Sequence, residues 1–238
     1  MLRSGYNTSW GARLRWPGGV VLSFAVAVAS AQFLGLDERV YQYIEEKYDR
    51  PARERVENWQ SLMQETNLQP QLTDAEKTRA ANDFFNQVRW ISDLEHWQVE
   101  DYWATPIETL ATNGGDCEDF SIGKYFTLNE TGVDNEKIRI TYVKALEYNQ
   151  AHMVLAYYPS PDAEPLILDN INKTILPASQ RTDLLPIYSF NGEGLWLAKA
   201  RGRKLKGNSQ QSLPQWRQVN ERMLKELEVR QTPEAEVQ

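Results

Sequence analysis

The sequence predicts an α+β fold, and three observations carry that prediction. Helical runs lie within 37–91 and again from about 117 to 129, the hydrophobic period then changes from 3.6 to 2, and the strand-like runs that follow are joined by short links. Helices first and strands after, in one chain, point to helices packed on an antiparallel sheet. A hydrophobic content of 41%, with eight Trp, eleven Tyr and seven Phe in 238 residues, is enough for a sizeable core and argues against wholesale disorder.

Residues 37–66 are helical in character, with a break at Asp49-Arg50-Pro51, where Asp49 can cap and Pro51 opens the next helix. The run "TDAE" at 73–76 is a capping box with Thr73 as N-cap. The helix it opens carries Phe84, Val88 and Ile91 as a core-facing stripe. From Ser92 to Gly115 the pattern becomes aromatic, acidic and irregular, and an aromatic loop ahead of a helix often lines a site. A helix from about Cys117 to Asn129 follows, with Gly132 able to take the left-handed cap. Strands are expected at 137–146, 152–158 and 165–170, then at "LPIYSF" and "GLWLA" around the turn "NGEG". Residues 201–212 read as a loop, 213–230 as an amphipathic helix in which Trp216 and Met223 cover the core, and 231–238 as a disordered tail.

The N-terminus has a separate character. Arg3, Arg13 and Arg15 precede the apolar run 18–31, which ends in Ala29-Ser30-Ala31. A basic start, a short apolar stretch and small residues at the cut make 1–31 a secretory signal peptide. The alternative is an uncleaved anchor, the apolar run continuing through "QFLGL". Export places the domain, 32–230, in the periplasm. Of 26 basic and 33 acidic residues the mature chain loses three arginines and no acid, so its net charge moves from −7 to about −10. That balance disfavours nucleic-acid binding, which needs clustered Lys and Arg.

The chain has one cysteine, in "NGGDCEDFSIGKYFTL". A lone thiol in an exported protein is a liability unless it is buried, paired between chains or used as a nucleophile. Cys117 sits at a helix start, where unpaired N–H groups and the helix dipole favour a thiolate and can stabilise an oxyanion. Asp116, Glu118 and Asp119 act in the opposite sense, so a cation beside them would help; hard carboxylate oxygens suit Ca²⁺. The acids could equally serve only the helix dipole. For a base there are two histidines. His96 lies in the irregular segment, whereas His152 opens an apolar strand, and antiparallel pairing brings Asp169 at the end of the next strand beside it.

The stretches "ATPIETLATNGGDCEDFSIGKYFTL", "AHMVLAYY" and "LILDNIN" resemble the LapG-type bacterial transglutaminase-like cysteine proteinases over about residues 36–200. The resemblance implies a papain/transglutaminase-like fold with Cys117 as nucleophile, His152 as base and Asp169 as orienter. It maps calcium dependence onto Asp116 and Glu118, with the role of Asp119 open between ligand and helix anchor. It also implies a biology: cleavage of a large surface adhesin near its N-terminus, beside a di-alanine, with release of cells from biofilm. The matching partner is a LapD-type inner-membrane receptor for cyclic di-GMP that holds the protease inactive. Trp97, Tyr102 and Trp103 are candidates for a docking surface, against a plainer role in core packing. The same residues would also serve a transglutaminase-like acyltransferase, a non-catalytic calcium-binding module, or an interaction protein that docks a membrane receptor.

Overall fold

A computed structural model describes residues 35–198, 203–205 and 209–228. The expected signal peptide and C-terminal tail lie outside these residues. No helix among the described residues is long and apolar enough to cross a membrane.

Two helices, α1 (Glu38–Lys47) and α2 (Arg50–Asn67), meet at the break anticipated at Asp49, whose carboxylate accepts from the Ala52 N–H at 2.6 Å. Thr73 and Glu76 form the capping box that opens α3 (Asp74–Phe85). The stripe expected on this helix is corrected. The helix ends at Phe85, and its buried face is Thr78, Ala81, Asn82 and Phe85. Turns from Gln87 and Val88 back to Phe84 and Phe85 then redirect the chain, so Val88 and Ile91 leave the helix. The chain enters β1 (Arg89–Trp90), which pairs in parallel with β2 (Gly114–Gly115).

The segment read as irregular holds two short helices, α4 (Asp93–His96) and α5 (Pro106–Thr112). A second capping box, Thr105 with Glu108, and Pro106 in the first turn start α5, and Asn113 ends it at φ 52°. The central helix, α6 (Cys117–Glu130), is enclosed nearly all round, as its mixture of Phe120, Ile122, Tyr125 and Leu128 requires. Trp59 of α2 donates its indole N–H to Thr127 of α6 at 2.8 Å.

The sheet contains β3 (Ile138–Ala145), β4 (Gln150–Tyr157), β5 (Leu166–Leu168), β6 (Leu176–Pro177), β7 (Leu184–Phe190), β8 (Leu195–Leu197) and β9 (Arg203–Lys204). Its order is β6-β5-β4-β3-β7-β8-β9, antiparallel throughout. The five expected strands are present; β6 and β9, two residues each, have no periodicity to read. Helix α6 packs on β3 and β4, and Ile122, Leu128, Ile138, Ile140, Met153 and Leu155 belong to one core. After α7 (Ser209–Ser212), α8 (Pro214–Glu228) closes the other end of this core with Trp216 and Met223, as expected.

Candidate active site

Cys117 is the first residue of α6, and the local sequence fixes that start. A Cβ at Gly115 would lie 2.7 Å from the Asp119 carboxylate, so only glycine lets that side chain fold back beneath the β2 backbone. The fully buried Asp119 accepts from the Asp116 N–H at 3.1 Å and the Ala104 N–H at 2.7 Å, tying the helix start to the preceding loop. Asp119 therefore anchors the helix, whatever else it does. The half-buried thiol of Cys117 donates to Glu118 Oε2 at 3.1 Å. Burial, then the negative charges of Glu118 and Asp116, push the thiol pKa well up, while the Met153 N–H favours the thiolate.

Strands β4 and β5 run antiparallel with Leu155 opposite Leu168, which brings Asp169 back towards His152. His152 Nε2 lies 2.8 Å from Asp169 Oδ1. The same oxygen accepts from the Ile171 N–H at 3.0 Å, and Oδ2 accepts from Arg181 Nη2 at 2.7 Å. The Asp169 carbonyl is held as well, by Lys124 Nζ at 3.1 Å and Asn86 Nδ2 at 3.0 Å. Burial alone would raise the Asp169 pKa, but the His152 contact, the Ile171 N–H and Arg181 outweigh it and hold the carboxyl well below the usual range. Arg181 is itself buried and also paired with Asp183. Its role had no signal in the sequence, because it lies on an irregular stretch between a 3₁₀ turn and β7.

Cys117 and His152 face one cleft of about 510 Å³, with Trp90, Tyr148, Asn170 and Ile171 among its walls. The other histidine, His96, stacks on Trp97 at 4.3 Å beside Gly114, and burial lowers its pKa. Trp97 and Tyr102 are half-buried with tilted rings 4.7 Å apart, and Trp103 is buried against Phe190, so all three take part in packing.

Around the helix start the acids form a larger cluster than the flanking pair alone. Oxygens of Asp93, Asp116 and Asp119 lie within 4.8 Å of one another, as do those of Asp93, Asp101 and Glu118. Asp93 and Asp101 come from the segment that reads as irregular; their acidity was visible, their convergence on α6 was not. Oδ1 of Asp93 and Oδ1 of Asp116 are buried without a hydrogen-bond partner. Burial, together with repulsion between neighbours, lifts Asp116 to about 8 and Glu118 to about 7. Burial above all lifts Asp93 to about 6. Unpartnered buried carboxylate oxygens are costly, and a set of hard oxygen donors brought this close suits a divalent cation.

Comparisons with known proteins agree with this architecture. Solved structures of Legionella pneumophila LapG are similar. The EGTA-treated form shares 42% identity with a TM-score of 0.68, covering 78% of this chain and 96% of its own. The calcium-bound form shares 43% identity with a TM-score of 0.65, covering 77% and 97%. No curated protein matches the chain. The family model for bacterial transglutaminase-like cysteine proteinases spans residues 49–224, and by that match together with the shared fold the chain belongs to this family of cysteine proteases.

Proposed function

We propose that this protein is a calcium-dependent cysteine endopeptidase of the periplasm, and that it cuts the N-terminal region of a large surface adhesin to release cells from biofilm. The observation that carries the catalytic part is the 2.8 Å contact between His152 Nε2 and Asp169, on a ring that shares its cleft with the thiol of Cys117. Asp169 fixes the ring through Nε2, which leaves Nδ1 to take the proton of Cys117. The thiolate attacks the carbonyl of the scissile bond, and backbone N–H groups at the start of α6 stabilise the oxyanion. The amine departs with the proton held by His152, leaving a thioester; water, deprotonated by the same ring, hydrolyses it.

Asp116 and Glu118, with Asp93 and Asp101 beside them, would hold calcium. When bound, the ion supplies positive charge against the carboxylates that now disfavour the thiolate. Support for calcium comes from the buried, unpartnered oxygens of Asp93 and Asp116 and from the similar LapG that was solved with calcium. The N-terminal sequence supports export, and the likeness to LapG supports both an adhesin substrate and control by a LapD-type receptor.

The test is cleavage of an adhesin N-terminal fragment by the purified protein in calcium and in EGTA, beside Cys117→Ala and His152→Ala. Both variants should fold and cut nothing. Appreciable cleavage by either would overturn the catalytic assignment, and cleavage indifferent to EGTA would remove the metal.

A further inference from the structure

Three large apolar side chains stand exposed around the mouth of the Cys117 cleft: Trp90 at 62%, Tyr148 at 54% and Ile171 at 51%. Single exposed apolar residues are ordinary on a protein surface. Three that converge on one cleft from separate segments mark a binding surface. Their placement is specific. Trp90 is the register partner of Gly115, two residues ahead of the nucleophile. Tyr148 lies in the turn between β3 and β4, four residues ahead of His152, and Ile171 follows Asp169 by two. One wall therefore belongs to the helical side of the cleft and the other to the sheet. Strand β1 is only two residues long with both side chains exposed, so packing gives no reason for an indole at Trp90.

We infer that Trp90, Tyr148 and Ile171 clamp the substrate chain, and that the protein selects an extended segment with apolar side chains on both sides of the di-alanine beside which it cuts. This rests on the protease reading, because the occupant is identified by its route. A polypeptide that brings a carbonyl to Cys117 must pass between the Trp90 wall and the Tyr148–Ile171 wall. Contacts of this kind act on the ground state and the transition state alike, so they set KM rather than kcat.

The experiment uses two labelled peptides of one length, each with a central di-alanine, the first with leucines flanking that pair and the second with serines in their place. Hydrolysis by the wild-type protein, Trp90→Ala, Trp90→Phe and Tyr148→Ala is measured in calcium. Binding is measured separately by anisotropy with Cys117→Ala, alone and combined with Trp90→Ala. The expected result is that the leucine peptide is preferred, that each alanine variant raises KM about tenfold with kcat unchanged, and that Trp90→Phe recovers most of the loss. Leu68→Ala, at a still more exposed site away from the cleft, should change nothing. Equal hydrolysis of both peptides, or kcat/KM within twofold of wild type for both alanine variants, overturns the clamp and leaves the protease reading intact. If the wild-type protein hydrolyses neither peptide while Cys117→Ala binds the leucine peptide through Trp90, the clamp stands and the protease reading falls.

Discussion

Replacing Arg181 by methionine tests whether the pairing behind His152 is built as described. The guanidinium donates to Asp169 Oδ2 at 2.7 Å and to Asp183 at 2.8 and 3.0 Å. The Asp183 contact is 43% exposed on the carboxylate side and contributes little. Asp169 is fully buried, so losing its cation strands a charge. Breaking a buried pair costs roughly 3–5 kcal/mol, but Asp169 keeps the His152 and Ile171 donors, so about 2–4 kcal/mol is expected. For a chain of this size that lowers Tm by roughly 5–15 °C. The pH dependence gives the sharper check. The Asp169 carboxyl is held below its unfolded value, so its contribution is full above about pH 4 and is lost as pH falls through the folded pKa. Arg181→Met moves that pKa up. The stability gap between wild type and variant, measured by urea unfolding, should be full at pH 7 and narrow below pH 4. Arg181→Lys keeps the charge without the fork and should recover part of the loss. A gap under about 1 kcal/mol at pH 7, or one that stays constant on acidification, refutes the reasoning.

Other parts of the structure make independent commitments. A Cβ at Gly123 would lie 2.0 Å from the Phe85 ring, so Gly123→Ala should cost about 1–3 kcal/mol by forcing α3 and α6 apart; an unchanged Tm would mean the helices are not so close. Asp93→Asn should weaken calcium binding at least tenfold by calorimetry with the far-UV spectrum unchanged, and affinity should fall from pH 8 to pH 6 as Asp116 and Glu118 take up protons. Burial lowers the Lys124 pKa to about 7, below its unfolded value, so its burial penalty is full below pH 7 and shrinks as pH rises towards about 10. Lys124→Met should therefore gain stability relative to wild type as pH falls from 10 to 7, and a flat difference would show the amine is not desolvated.

The sequence made legible whatever depends on local pattern. Asp49 and the Thr73–Glu76 box announced two helix starts, and the period-2 runs gave β3, β4, β5, β7 and β8. The meeting of His152 and Asp169 followed from antiparallel pairing of adjacent strands, a short-range inference. The misses have physical causes. Thr105-Pro106-Ile107-Glu108 satisfies the same capping rule, but the aromatic, acidic surroundings hid a seven-residue helix too short to show a period. Phe84, Val88 and Ile91 kept helical spacing past the point where the backbone turned, because a turn after Phe85 leaves side-chain spacing intact. Arg181, Asp93 and Asp101 were beyond reach for one reason: each acts on a residue brought near only by the tertiary fold.

The arrangement of those acids makes one more commitment, about the thiol itself. Asp93 arrives at the start of α4 and Asp101 on the loop after it, Asp116 and Glu118 lie at the start of α6, and Asp119 ties α6 to that loop through the Ala104 N–H. The tie holds like charges together beside the nucleophile. Without a cation, the groups that favour a thiolate are the Met153 N–H and the α6 dipole, and burial with Glu118 and Asp116 overrides them. Positive charge in the cluster would oppose Glu118 and Asp116 and favour the thiolate before any substrate arrives. Alkylation of Cys117 by iodoacetamide reads this directly, because the thiolate is the reacting species. The rate at pH 7 should rise at least tenfold from EGTA to calcium, and Asp93→Asn should lose most of that rise. Equal alkylation in calcium and in EGTA, with calcium binding confirmed by calorimetry, would show that the ion only orders the loop and leaves the nucleophile's charge to His152, the Met153 N–H and the α6 dipole.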